Sequence, residues 1–268
     1  MSTPTLAFTG ERFVPECQRE IGYEHWHRYY FARTMVAHKQ VLDIASGEGF
    51  GSHLLAEVAA QVIGLDIDPV AVNHANQRYA ATTTNLNYQV ASCEQIPLAD
   101  ASLDVVISFE TLEHIHPQAQ FLAEIRRVLR PHGILLISSP NKHLYTDVPN
   151  HHNPYHVREL YRDEFEALLA TQFPVVHLLG QKLLFHSALW SLNQQPPQQV
   201  TLAQHDGPIH HEALYFLAVC AAYPADLPPL NQRLWLYDDR QESVYQHYNQ
   251  VVREYIEVAT LYQQQTAE

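Results

Sequence analysis

Cysteine, positive charge and long apolar runs are all scarce in this 268-residue chain. Cys17, Cys93 and Cys220 are odd in number and far apart, which argues against a disulfide framework or a cysteine metal site. The 16 Lys and Arg face 29 Asp and Glu, a net charge of −13, and no basic cluster stands out. A long phosphate backbone would meet net repulsion, so nucleic acid is a poor partner and a neutral, polar substrate a better one. The chain as given opens without a basic, apolar leader, and its apolar runs are too short to span a bilayer. The expectation is a cytoplasmic protein with no membrane insertion. At 268 residues and 46% hydrophobic content it can bury one full α/β domain plus additions.

What is present centres on Val41-Leu42-Asp43-Ile44-Ala45-Ser46-Gly47-Glu48-Gly49-Phe50-Gly51. Val41, Leu42 and Ile44 read as a buried parallel strand, three glycines crowd the turn after it, and His53 to Ala56 have helical character. Glycines suit a turn against which a ligand must lie, because they carry no Cβ. A second strand, Val62-Ile63-Gly64-Leu65, ends on Asp66, where a carboxylate can accept both hydroxyls of a ribose. A dinucleotide fingerprint would need a third glycine where Ser52 stands.

Further strands are expected at Leu86–Ala91, Leu103–Phe109, Ile134–Ser138, Pro174–Leu179 and Leu214–Ala222. Helices are expected at Tyr23–Ala37, from Pro69 toward Tyr79, at Gln118–Leu129 and at Arg162–Leu169. Residues 1–20 read as irregular, and Gln194–Gln199 as a polar linker. Near the end, Val244, Tyr248, Val251, Tyr255, Val258 and Tyr262 recur at alternating steps of four and three, a heptad seam suited to a homodimer.

The series Asp43-x-x-x-Gly47-x-Gly49-x-Gly51 resembles the first motif of class I S-adenosylmethionine (SAM) methyltransferases, most of which have glycine at the position of Ala45 and often cysteine at Ser46. The resemblance covers residues from about 20 to 222. It implies an α/β fold, a doubly wound Rossmann-like sheet of seven strands with the last antiparallel, an N-terminal helical lid and a C-terminal helix. The expected divisions are residues 1–39 for the segment and lid helix, 40–222 for the methyltransferase domain and 223–268 for the helical extension. The aromatics of the lid helix could cover the cofactor or be plain core. By the same resemblance Asp43, Ala45, Gly47 and Gly49 would hold the methionine part of SAM, and Asp66 with Ile67 the ribose side. Ser92 replaces the acid that usually receives adenine, leaving Glu94 and the Cys93 backbone as substitutes, while Phe109 ends the fourth strand beside the cofactor.

Glu110-Thr111-Leu112-Glu113-His114 follows that strand. Were it to open a helix, Glu110, Glu113 and His114 would share one face and could bind a divalent cation. Leu-Glu-His here is also widespread in the family without metal. The E-x-x-E-H pattern resembles ubiquinone-pathway O-methyltransferases and the plant small-RNA 3′-end 2′-O-methyltransferases, which would add His156 as the fourth ligand, with Mn, Mg, Fe or Zn as the ion. The RNA enzymes have a tryptophan–threonine pair where Leu160-Tyr161 stands here. Ser139-Pro140-Asn141 through His156-Val157-Arg158-Glu159, Thr9-Gly10-Glu11-Arg12-Phe13-Val14-Pro15 and Tyr23-Glu24-His25 resemble methyltransferases of bacterial polysaccharide and glycolipid assembly. The expected activity is O-methylation of a sugar hydroxyl on a glycan or glycoconjugate, with His114 or His156 as base if no metal binds. Alternatives are RNA 3′-end methylation, methylation of a small phenol or quinone precursor, and a non-catalytic scaffold in polysaccharide assembly.

Overall fold

The computed structural model describes Leu6 and residues 12–16, 20–184, 211–230, 234–237 and 242–266. Cys17, the polar run Gln194–Gln199 and the first residues of the Thr9–Pro15 motif lie outside them. Seven strands form one sheet in the order β3-β2-β1-β4-β5-β7-β6. They are β1 (Gln40–Ile44), β2 (Gln61–Asp66), β3 (Leu86–Val90), β4 (Leu103–Ser108), β5 (Leu129–Pro140), β6 (Val175–Gln181) and β7 (Tyr215–Ala221). The first five pair in parallel, and β7 runs antiparallel to both β5 and β6. This is the doubly wound, seven-stranded architecture expected from the sequence.

β1 lies inside the sheet between β2 and β4, and both its faces are apolar. Val41 pairs in register with Val62 and Val105, and Leu42 with Ile63 and Val106. Val41, Val62, Val105 and Ile107 face a core built with α1 (Glu20–Arg33), α2 (Phe50–Ala56) and α3 (Pro69–Arg78). Leu42, Ile44, Val106 and Ile137 face the other, built with α4 (Gln118–Val128) and α5 (Arg162–Ala170). A strand covered on both sides has no solvent face to mark with polar residues, so it reads as a continuous apolar run. The chain order reverses between β1 and β4, and the crevice outside their carboxyl ends is where a doubly wound sheet takes its ligand.

Boundaries moved most in α1 and β5. α1 stops at Arg33 instead of Ala37, where the Thr34 hydroxyl bonds back to the Phe31 carbonyl at 2.7 Å and the chain turns into β1. β5 runs from Leu129 to Pro140 instead of Ile134 to Ser138: Leu129 already pairs with Leu103, and Pro140 still pairs with Tyr215. α1 is part of the core, since Tyr29, Phe31 and Ala32 are buried in it. The C-terminal helix α6 (Ser243–Thr266) forms as the spacing predicts. Of its seam only Val244 is buried, while Tyr248, Val251, Tyr255, Val258 and Tyr262 are exposed. No helix among the described residues is long and apolar enough to cross a membrane.

Gly51 lets α1 close onto α2. A Cβ there would stand inside the Tyr29 ring. Gly51→Ala must therefore push the helices apart, at a cost of about 1–3 kcal/mol. A melting temperature lower by roughly 4–10 °C is expected from thermal unfolding.

Candidate functional site

The turn after β1 is held in left-handed backbone, with φ of +55° at Ala45, +57° at Gly47 and +100° at Gly49. Ala45 carries its Cβ in a conformation that costs an L-residue about 1–2 kcal/mol, which its usual glycine would avoid. Gly49 cannot be replaced so cheaply, because a Cβ there would lie 2.7 Å from that of Ala75 and 3.0 Å from the Tyr88 ring. The Tyr88 hydroxyl donates to the Gly49 carbonyl at 2.6 Å, and Gly49 N–H bonds to the Ser46 carbonyl at 3.0 Å.

Asp43 lies beneath this turn and is fully buried. Its carboxylate accepts from the Ser52 hydroxyl at 2.6 Å and from the Tyr29 hydroxyl at 3.1 Å. The sequence reading placed Asp43 among the residues holding the methionine part of SAM; in the structure it is fully buried and fastens α1 and α2 to β1. Burial raises its pKa to about 7, with the two hydroxyl hydrogen bonds opposing that rise. Ser52, where a dinucleotide site would have glycine, thus has its own purpose. Glu48 was not singled out by the sequence. It is also buried and takes His74 Nε2 at 2.7 Å, Arg78 at 3.0 Å and the Tyr79 hydroxyl at 2.8 Å, binding the turn to α3.

The other wall of the crevice follows β2. Asp66 is nearly buried and accepts backbone N–H groups from Gly47 at 2.8 Å and Asp68 at 2.9 Å. It therefore clamps the two walls together, and a ribose diol would use its remaining lone pairs. Ile67 beside it is 75% exposed, an apolar surface with no partner to pack on in the core. In the loop after β3, the Ser92 hydroxyl accepts the Glu94 N–H at 3.2 Å and the Glu94 side chain is exposed. Burial pushes the Cys93 thiol up to about 11, so it stays protonated at neutral pH. The Ser46 hydroxyl is buried without a hydrogen-bond partner. A glycine turn, an edge carboxylate, an exposed apolar side chain and an orphaned hydroxyl fit a nucleoside carrying an amino-acid tail.

Phe109 follows β4, with its ring 5.2 Å from that of Tyr29. Beyond it no helix opens at Glu110. Glu110 is left-handed, with φ of +49°, and only Leu112–His114 makes a 3-10 turn. The Glu110 carboxylate turns back to Arg28 at 2.6 Å and to the Ser138 hydroxyl at 2.6 Å. It is thereby withdrawn from the predicted ligand set. Arg28 is 1% exposed and lies over the Tyr215 ring at 4.8 Å. One turn earlier on α1, Glu24 is raised to about 7 by burial, which Arg28 opposes. Two charged residues four apart on a buried helix face were the signal the sequence offered here.

The other three predicted ligands do converge. Glu113, His114 and His156 each present a ligand atom, all within 4.8 Å of one another. The loop bearing His156 is held there by Val157 and Arg158, whose N–H groups bond to the Glu113 carbonyl at 2.8 and 3.0 Å. His114 Nδ1 lies 3.0 Å from the Tyr155 carbonyl, to which it can only donate, leaving Nε2 as the acceptor. His156 Nδ1 lies 2.6 Å from Glu159 Oε1, which fixes the same tautomer. Glu159 is held in turn by the Thr146 hydroxyl at 2.5 Å, and its position was not legible as a site residue in the sequence. Glu113 Oε2 is buried without a partner, and burial, then the nearby Glu110 charge, raise its pKa well above the usual range.

Residues 42–137 match the family described as a methyltransferase domain. Over 240 residues the chain is 37% identical to a probable S-adenosylmethionine-dependent methyltransferase of Mycolicibacterium smegmatis, covering 85% of this chain and 90% of that one. A ubiquinone biosynthesis O-methyltransferase of Xanthomonas oryzae is 31% identical over 115 residues, 42% of this chain and 48% of its own. Among solved structures, a SAM-dependent methyltransferase of Thermotoga maritima superposes with a TM-score of 0.56 at 14% identity, covering 75% of this chain and 90% of that one. At that identity the likeness bears on the fold.

The buried Asp43 gives the site a pH signature. Its pKa is about 7 in the native protein, against about 3.9 for an unfolded aspartate. Between those values the unfolded chain has released its proton and the native chain has not. Asp43 therefore stabilises the fold most fully below pH ~4, and that contribution is lost as pH rises to about 7. From pH 5 to pH 8, the wild type should lose on the order of 1–3 kcal/mol relative to Asp43→Asn in urea unfolding. Parallel stability curves would show that Asp43 is ionised throughout.

Proposed function

The chain belongs to the S-adenosylmethionine-dependent methyltransferases, and on that premise we propose that it methylates the oxygen of a sugar hydroxyl on a glycan or glycoconjugate. What carries the reading is the meeting of Glu113, His114 and His156 outside the carboxyl end of β4, beside the crevice for the cofactor. The acidic balance of the chain, −13 overall, favours an uncharged polar acceptor over RNA.

Asp66 and the glycine turn hold and orient SAM, which supplies the electrophilic methyl group when bound. Alignment of two reactants can lower a barrier by roughly 7–11 kcal/mol. The acceptor oxygen is the harder half, since a sugar hydroxyl is almost wholly protonated at neutral pH. His156 gives Nδ1–H to Glu159, and its Nε2 lone pair, which accepts the Asn153 amide at 3.0 Å, takes that proton once the acceptor displaces the amide. His114 is oriented the same way by the Tyr155 carbonyl and is the alternative base. A divalent cation held by Glu113, His114 and His156 would make the hydroxyl more acidic and favour a vicinal diol. Glu113 Oε2, buried and unpartnered, is the atom such an ion would satisfy. The stretch shared with the ubiquinone-pathway enzyme supports a second reading, a small phenolic acceptor.

Transfer of labelled methyl from SAM to glycan acceptors and to catechols separates the two readings. The expected result is label on a sugar oxygen, and label on catechols alone would overturn it. In the same assay His156→Ala should lower kcat about 100-fold or more. EDTA should reduce activity, and Mn²⁺ should restore it. Full activity in EDTA would leave the two histidines as acid–base groups only.

The exposed α6 seam is the joint of a homodimer in this proposal. Val251→Lys with Val258→Lys in the full chain should yield monomers by light scattering, and an unchanged oligomeric state would rule the helix out as the joint.

A further inference from the structure

Of the polar stretch between β5 and α5, the activity proposed above uses His156 and Glu159 and leaves the residues just after β5 without a task. His143–Asp147 forms a π-helical turn, in which the Val148 N–H reaches five residues back to the His143 carbonyl at 2.9 Å. Turns this wide are rare, and many of them stand at functional sites. Its far end is pinned. Asp147 accepts Lys142 Nζ at 2.9 Å and the hydroxyl of Tyr161, the residue before α5, at 2.8 Å.

Two consecutive residues of this turn bear on His156. The Tyr145 ring is stacked on the imidazole at 5.4 Å. The Thr146 hydroxyl donates to Glu159 Oε2 at 2.5 Å, while Glu159 Oε1 takes His156 Nδ1–H at 2.6 Å. The Glu159 and His156 side chains are each only 5% exposed, so water offers little in place of these bonds. Without the Thr146 hydroxyl, one oxygen of a nearly buried carboxylate would lose its donor, which favours rotation of Glu159 away from the imidazole. The other ring nitrogen agrees with the same tautomer. Tyr155 N–H donates to Asn153 Oδ1 at 3.0 Å, so the Asn153 NH2 is the group that meets His156 Nε2, 3.0 Å away.

We propose that Thr146 is a positioning residue for methyl transfer: it fixes Glu159, Glu159 fixes the tautomer of His156, and the π-helical turn sets where the Thr146 hydroxyl stands. The task is the same whether Nε2 takes the acceptor's proton or binds a cation. Either needs Nε2 bare, and so needs the ring proton kept on Nδ1. The assignment rests on the reading that His156 works on the acceptor.

Ring-nitrogen NMR of the isotope-labelled full chain tests it without an acceptor, the His156 signals being identified by their loss in His156→Ala. The wild type should show Nδ1 protonated and Nε2 bare. Thr146→Val keeps the side-chain shape and should move much of the population to the opposite tautomer, which Thr146→Ser should reverse. With the glycan that takes label in the assay above, Thr146→Val should lower kcat about 10- to 100-fold and leave KM for SAM within about twofold. Thr146→Ser should regain most of that kcat. An unaltered tautomer in Thr146→Val would overturn the proposal, as would a kcat equal to that of the wild type or a loss that serine does not restore. Full activity of His156→Ala would remove the reading beneath it and the proposal with it, and is told apart because the nitrogen spectrum of Thr146→Val would still change.

Discussion

One carboxylate with no contact to water holds the cofactor half of this protein together. Asp43 sits on β1, inside the sheet, and draws hydroxyls from Tyr29 on α1 and Ser52 on α2. Burying an acid in the middle of a sheet is costly unless its oxygens are satisfied. Here the satisfaction specifies geometry: Tyr29 reaches Asp43 only because Gly51 lets its ring approach α2. Glu48 repeats the device one turn later with His74, Arg78 and Tyr79. The glycine turn thus rests on two buried acids.

The acceptor side depends on a different pairing. Arg28, buried and lodged over Tyr215, recruits Glu110 and so forces the left-handed kink at the end of β4. That kink replaces a helix by a single 3-10 turn and brings Glu113 and His114 beside His156. Strained backbone at such a place is sustained by the contacts around it. The ion pair shapes the neighbouring constellation without belonging to it.

The sheet was largely legible because its signals are local. Apolar runs marked the strands, glycine spacing marked the turn, and helical spacing of apolar residues marked Gln118–Leu129. The roles within the site were less so. Asp43 and Glu110 bear the right chemistry at the right spacing, yet both are claimed by partners from α1, Tyr29 and Arg28. Such claims arise between residues distant in sequence, and spacing carries no record of them. Glu159 was hidden in a polar run because only folding brings it to the far side of a histidine. The seam of α6 was found by its period, and the period is blind to whether anything covers it.

The place of β7 constrains the order in which the protein can be made. Among the described residues β6 pairs with β7 alone, and β5 has β7 as its outer neighbour. Both earlier strands emerge from the ribosome before their shared partner exists. Until Ala221 has been synthesised, the nascent chain carries open backbone donors and acceptors along β5 and β6, the kind of edge on which strands of different molecules pair. A chain cut short before that residue would keep the whole glycine-turn half and still be prone to aggregate. The strand that completes the sheet is therefore also what makes translation of the domain safe.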